Sequence, residues 1–123
     1  MAHAAGVMVD YHNCGRIKAV LEPMVNTGAD VLEPLLPPSL NGELWLKDIK
    51  QRVGQRIALY GGFNERVLQS DDPNEVRQEV RRCIDEGAAG GGYAIRCAGQ
   101  IFDATVKNIA VMADEAQRYG RYD

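Results

Sequence analysis

The sequence predicts an α/β fold made of four consecutive strand–helix units. Four short apolar segments are each followed by residues with helical periodicity, and they begin about 25 to 35 residues apart, as in βαβ units. This alternation is typical of a parallel sheet covered by helices. A complete (β/α)8 barrel usually takes about 250 residues, so the 123 residues of this chain are enough for half of one.

The predicted strands are short apolar runs bounded by glycine, proline or polar residues. They span residues 6–11, ending at His12, and then residues 30–34, 56–61 and 92–96. The carboxyl ends of parallel strands lie at one edge of the sheet, which is where α/β proteins bind their ligands. We therefore expect the functional residues to follow these four segments.

The first two helices are predicted from the spacing of their apolar residues. The first ends near Gly28, and Pro23 within it predicts a kink or an early end. The second ends before Gly54. Their apolar positions are Ile17, Val20, Leu21, Met24 and Val25 in the first helix, and Leu46, Ile49 and Val53 in the second.

The third and fourth helices also carry end signals. Asp72, Pro73 and Glu75 predict a capping box at the start of the third, and Gly87 predicts a left-handed stop at its end. The fourth is predicted to start at Thr105 and end at Gly120. Apolar stripes are predicted at Val76, Val80 and Ile84 in the third helix, and at Ile109, Met112, Ala113 and Ala116 in the fourth.

Composition excludes several classes of protein. The chain has 14 Lys and Arg against 17 Asp and Glu, a net charge of −3, which argues against nucleic-acid binding or attachment to an acidic membrane. No apolar run approaches the roughly 18 residues of a membrane span. Three cysteines at uneven spacing do not form a disulfide framework. We expect a single soluble, cytoplasmic domain over residues 1–123.

The densest group of reactive side chains follows the first strand. His12 and Cys14 are two residues apart, so on extended backbone both side chains point the same way. An imidazole and a thiolate together suit Zn²⁺. Cys97, at the end of the fourth strand, is available as a third ligand. The alternative interpretation is a hydrogen-bonded histidine and two cysteines that only pack.

Other candidates follow the remaining strands. Gly61, Gly62 and Asn64 come after the third strand, where backbone amides could approach a substrate closely, although a tight turn explains the glycines equally well. Glu33 is a candidate catalytic acid or base, or a partner that orients the histidine, and otherwise a solvated carboxylate. Arg96 is expected to bind an anionic substrate group or to pair with an acidic neighbour.

These segments, in this order, resemble the C-terminal half of the uroporphyrinogen decarboxylase superfamily. The resemblance implies a (β/α)8 barrel whose site lies at the carboxyl ends of the strands. It is carried by His12-Asn13-Cys14-Gly15, Thr27-Gly28-Ala29-Asp30, Gly61 to Leu68, Pro73-Asn74-Glu75-Val76, Gly91-Gly92-Tyr93, Lys107-Asn108-Ile109 and Tyr119-Gly120-Arg121-Tyr122.

The His-x-Cys-Gly motif is similar to that of the methyltransferase-like branch, in which a His, a Cys and a later Cys hold a Zn²⁺ that activates an acceptor thiol. The resemblance assigns two of these ligands to His12 and Cys14. The later cysteine falls at Gly99, two residues after Cys97. It implies an enzyme that uses a corrinoid or tetrapyrrole ligand, with zinc-assisted methyl transfer to a thiol as the leading function.

Two other functions stay open: uroporphyrinogen decarboxylation within a larger assembly, and a catalytically inactive half barrel that only dimerises. A module that binds a tetrapyrrole or corrinoid without turnover is a further possibility. The family's N-terminal arginine motif and catalytic aspartate belong to the half that this chain does not match.

A half barrel also implies a partner. Four parallel strands leave two open edges and an inner face without its other side, and open edges invite pairing with another chain. Covering about 800 Å² of apolar surface is worth on the order of 20 kcal/mol before association costs. We expect a homodimer through the open face, or pairing with a missing N-terminal half. Residues 1–6 resemble the last turn of a longer helix, so we expect the chain to begin within a larger fold.

Overall fold

The computed structural model describes residues 2–121, and it confirms the predicted α/β class. Tyr122, the last residue of the closing motif, lies outside the described residues. The strands form one four-stranded sheet in the order β1-β2-β3-β4, and all three neighbouring pairs are parallel. This arrangement is half of a (β/α)8 barrel. The strands are β1 (Asp10–His12), β2 (Val31–Glu33), β3 (Ala58–Phe63) and β4 (Tyr93–Cys97).

The helices alternate with the strands as predicted. Short 3₁₀ turns lie at His3–Ala5, Pro38–Leu40 and Glu65–Gln69. None of the helices in the described part of the chain has the length and apolar character needed to cross a membrane. The helices are α1 (Leu21–Val25), α2 (Leu46–Val53), α3 (Pro73–Gly87) and α4 (Val106–Tyr119).

Helix α1 ends early but is not kinked. Pro23 is its third residue, within the first turn, where backbone N–H groups have no partner inside the helix and a missing one costs little. Gly28, which follows three residues after the helix, has a φ of 82°. The predicted early end is confirmed, and the predicted kink is wrong.

The end signals of α3 act differently from the prediction. Asp72 caps the helix by accepting from the Asn74 N–H at 2.9 Å, but its own N–H donates to Ser70 Oγ and not to Glu75, so the capping box is incomplete. Gly87 does not adopt a positive φ. A Cβ at Gly87 would lie 2.8 Å from the Tyr93 ring, so the glycine is required by close helix–strand packing.

The core lies between the sheet and the helices, and the opposite face of the sheet is open. Leu59 and Phe63 of β3 are almost fully buried on the helical side, against residues such as Leu46, Val76 and Val80. On the open face, Ala94 of β4 is exposed. Alternation along the strands therefore separates a buried face from the face that carries the candidate site.

Helix α4 buries a different face from the predicted stripe. Met112 and Ala116 pack against the core as predicted, but Ile109 and Ala113 are exposed. Two polar residues are buried instead. Asn108 donates to the carbonyl oxygens of Leu68 and Ser70, and Glu115 accepts from Arg81 at 2.6 Å.

Candidate functional site

The carboxyl ends of β1, β2 and β4 bring three polar side chains together on the open face. His12 is the register partner of Glu33 on the neighbouring strand. Arg96 lies two strands away from Glu33, and their side chains form an ion pair across β3. The prediction that strand-end residues meet at one edge is confirmed for these three residues.

His12 lies between Glu33 and Cys14. Its Nδ1 is 2.6 Å from Glu33 Oε1, and its Nε2 is 2.8 Å from Cys14 Sγ. Because a carboxylate only accepts hydrogen bonds, Nδ1–H donates to Glu33 and Nε2 faces the thiol with its lone pair. Both His12 and Cys14 are exposed, so the pair is accessible from the open face. Glu33 thus orients the imidazole, as predicted for an orienting partner.

Arg96 fixes the second oxygen of Glu33. Its guanidinium pairs with Glu33 Oε2 and lies over the ring of Tyr60, 5.3 Å from the centroid. Glu33 is therefore engaged at both oxygens, which favours a positioning role over that of a free acid or base. Tyr60 was missed in the sequence. It occupies alternating strand positions with the other open-face residues, and only the register reveals that it supports Arg96.

A cleft of about 370 Å³ opens beside the histidine and the thiol. A second cleft of about 650 Å³ adjoins it and shares Arg96, Gly99 and Gln100 with it. The second cleft is more apolar at its outer end, where Ile101 and Phe102 are exposed. The site therefore combines a polar strand-end group with an apolar shelf.

Cys97 does not join His12 and Cys14. It follows Arg96 directly, so alternation turns it to the helical side, where it is 9% exposed within the apolar core. Burial, with Glu65 nearby, raises the pKa of the Cys97 thiol to about 11. The prediction of Cys97 as third metal ligand is therefore wrong for this structure.

Gly61, Gly62 and Asn64 serve the fold. The Gly62 N–H donates to the Pro34 carbonyl at 3.0 Å, and a Cβ on Gly61 would overlap the same oxygen. The Gly61 carbonyl accepts from the Tyr93 hydroxyl.

Asn64 is occupied as well. Its N–H donates to Glu79, its Nδ2 donates to Ser39, and its Oδ1 accepts from the Arg66 N–H. None of Gly61, Gly62 and Asn64 lines the cleft beside His12. The substrate-binding prediction for these three residues is corrected, because their polar groups hold the turn after β3.

Comparison with known proteins decides the family. The family model described as uroporphyrinogen decarboxylase (URO-D) matches residues 1–119. The chain belongs to the uroporphyrinogen decarboxylase family. A uroporphyrinogen decarboxylase from Ralstonia nicotianae is 32% identical over 82% of this chain, and one from Methylibium petroleiphilum is also 32% identical over 82%.

The chain matches only part of its uroporphyrinogen decarboxylase relatives. The alignments cover 27% of the Ralstonia protein and 26% of the Methylibium protein. Among solved structures, a methyltransferase from Methanosarcina mazei superposes with a TM-score of 0.74 at 17% identity, over 98% of this chain and 34% of its own. That superposition supports the fold, and its low identity carries no function across.

The family assignment makes Gly99 informative. The position that the resemblance assigns to a third zinc ligand lines the same cleft as His12 and Cys14, but glycine has no donor side chain. The Gly99 N–H donates to Glu65 Oε2 at 2.9 Å. Residues 2–121 contain no group of three His, Cys, Asp or Glu side chains arranged to hold a metal. His12 and Cys14 therefore fit Zn²⁺ as two of its ligands, with Glu33 bound to the other imidazole nitrogen.

Proposed function

We propose that this chain carries the zinc-binding strand end of a methyltransferase-type site in the uroporphyrinogen decarboxylase family, acting on a thiol with a corrinoid as methyl donor. The observation that carries the proposal is the row Glu33–His12–Cys14, with contacts of 2.6 and 2.8 Å. Histidine ligands of zinc characteristically donate their second N–H to a carboxylate. That part of the arrangement is already in place here.

Each residue of the site has a separate task. Glu33 holds the imidazole so that Nε2 points toward the cleft. Cys14 supplies the sulfur ligand after loss of its proton. Arg96 keeps Glu33 in place through its ion pair. A bound Zn²⁺ supplies Lewis acidity that stabilises a thiolate at neutral pH.

The apolar shelf supports a flat macrocyclic ligand. Tyr60, Ile101, Phe102 and Met112 line the larger cleft, which continues into the smaller one beside Cys14. Ligand pockets typically combine mostly apolar walls with a few polar groups, and these two clefts together have that composition. A corrinoid seated there would lie beside the thiol site.

Decarboxylation of a tetrapyrrole is the second candidate, favoured by the names of the relatives at 32% identity. That reaction requires recognition of carboxylate side chains, and Arg96 is the cation that lines the cleft. Glu33 already neutralises this guanidinium, which favours the first proposal. The two functions differ in their need for zinc.

Zinc titration of the purified chain tests the proposal. Isothermal calorimetry is expected to give one Zn²⁺ per chain, and His12→Ala or Cys14→Ser should abolish it. His3→Ala is the matched control, because His3 is the other histidine, is exposed and pairs with Asp30 away from the cleft. Binding that survives in Cys14→Ser, or is lost equally in His3→Ala, would overturn the proposal.

A gain-of-function variant sharpens the test. Gly99→Cys places a third sulfur at the cleft, and the atom nearest its Cβ is the flexible carboxylate end of Glu65. Zinc affinity should rise by at least about 100-fold, the scale expected from one added zinc ligand. A corrinoid titration followed by visible absorption then tests the apolar shelf, where Phe102→Ser should weaken binding. Unchanged zinc affinity in Gly99→Cys would contradict the placement of the site.

A further inference from the structure

The sheet carries exposed apolar residues at both of its open edges. Beyond β4, helix α4 shows an exposed stripe of Val106, Ile109, Ala110 and Ala113, at the i, i+3, i+4 and i+7 spacing of one helix face. Val106 is 84% exposed. A buried stripe would be ordinary for this helix, but an exposed one marks a surface that packs against something else.

The contacts of α4 show where this stripe points. Glu115 is bonded to Arg81 of α3, Ala116 lines a groove with Ile95 of β4, and Ile109 and Ala113 follow next around the helix. The stripe therefore lies on the side of α4 away from α3, beyond the free edge of β4. Small residues within it allow a second helix to approach closely.

The other edge has a matching surface. Val7 and Met8, directly before β1, are 56% and 70% exposed, and Val20 before α1 is also exposed. In the described residues β1 pairs only with β2, so its outer edge has no strand partner. Both edges thus combine free strand hydrogen-bonding groups with exposed apolar side chains.

The exposed area has the size of an interface. The chain has 7284 Å² of accessible surface, whereas a compact protein of 13.5 kDa exposes roughly 6,500 Å². The excess is about 800 Å², which is the area that each partner buries in a standard protein–protein interface. One partner that covers both edges would account for this excess.

We propose that the partner is a second copy of the chain, and that two copies close an eight-stranded barrel. All four strands are parallel, so a two-fold axis along the barrel brings β1 of each copy beside β4 of the other in parallel orientation. Both junctions form at once, and no edge is left open. Two copies supply the eight strand–helix units of a complete barrel.

Closure also completes the candidate site. His12 lies on β1, at a junction, so the partner's β4 and the segment after it would lie beside the imidazole. The cleft, open in one chain, becomes the mouth of a barrel that carries two such sites. This proposal concerns the edges alone, and it stands or falls independently of zinc binding.

Association measured by light scattering after size exclusion tests the proposal. The wild-type chain is expected at twice its 13.5 kDa mass at micromolar concentration. Ile109→Glu and Met8→Glu, each at one edge, should weaken dimerisation at least about tenfold, because each buries an unpaired charge. Gln78→Glu is the matched control, since it adds the same charge at an exposed position of α3. Circular dichroism establishes that each variant is folded.

Mixing the two edge variants gives the decisive result. In a mixed pair, one junction joins the two unaltered edges, so mixing Ile109→Glu with Met8→Glu should restore part of the association. A dimer that forms by α4–α4 contact predicts no restoration and would overturn the proposal. A wild-type monomer, an open polymer, or a chain that binds only an N-terminal barrel half of a family member would overturn it too.

Discussion

Removing the guanidinium of Arg82 should destabilise the fold far more than removing a comparable arginine elsewhere. Arg82 bonds to Glu79 at 2.6 Å, to Glu86 at 3.0 Å and to the Gly62 carbonyl at 2.8 Å. Burial alone would lower the pKa of Arg82, but the hydrogen bond to Glu79 and the nearby Glu86 raise it overall. The group therefore stays charged and joins α3 to the end of β3.

The expected loss follows from burial. The Arg82 side chain is 22% exposed, and its two carboxylate partners are 14% and 15% exposed. Breaking a fully buried ion pair costs about 3–5 kcal/mol, and partial exposure reduces this, so Arg82→Ala should lower the free energy of unfolding by about 2–3 kcal/mol. Glu79 also holds the Asn64 N–H, so the turn after β3 should loosen.

Arg118 provides the control. It pairs with Asp114 at 3.0 Å with the same i, i+4 spacing as Arg82 and Glu86, but the two side chains are 75% and 50% exposed. Exposed pairs of this kind contribute about 0.3–0.5 kcal/mol, so Arg118→Ala should change stability by less than about 0.5 kcal/mol. Urea unfolding followed by far-ultraviolet circular dichroism, at one protein concentration, measures both losses. Equal losses in the two variants would refute the reasoning from burial.

Three further outcomes are expected. Gly61→Ala should cost about 3 kcal/mol or more in urea unfolding, because φ is 137° and a Cβ would overlap a backbone carbonyl oxygen. With Ellman's reagent at pH 8, Cys14 should react first, because it is exposed whereas burial raises the pKa of Cys97 to about 11. The Val9 N–H lowers the pKa of Asp30, so its contribution to stability is present above the ordinary aspartate pKa of 3.8 and is lost as the pH falls through the lower folded value, a loss that Asp30→Asn should reduce in acid titrations.

Each of these outcomes has a clear opposite. A Gly61→Ala protein as stable as wild type would mean that the backbone at this turn relaxes freely. Simultaneous reaction of Cys14 and Cys97 in the folded protein would place both thiols at the surface. Identical acid unfolding of wild type and Asp30→Asn would show that the carboxylate contributes nothing at this position.

The sequence was sufficient for the order of the elements but not for the phase of each strand. Spacing and apolar runs predict four parallel strands because those signals are local. Cys97 illustrates the limit: the predicted fourth strand ended at Arg96, and one further residue lies on the opposite face of the sheet. A cysteine is compatible with a buried or a solvent-facing position, so its type did not reveal the face.

Non-local contacts explain the other corrections. Gly61 and Gly62 were recognisable as a turn, but the Pro34 carbonyl that occupies this turn comes from another strand–helix unit. On α4, Asn108 and Glu115 are buried because their partners lie on distant segments. Apolar spacing alone could not distinguish the face of α4 that is buried from the one that is exposed.

Trp45 is the single tryptophan of the chain, and the Arg82 guanidinium lies over its indole, 5.4 Å from the ring centroid. Its fluorescence therefore reports on one defined place, where the start of α2 meets α3. A cation held over an indole alters its emission, so the emission wavelength should shift when this contact opens, even if the remainder of the domain stays folded. The protein thus contains its own optical probe of local opening, and no label is needed to use it.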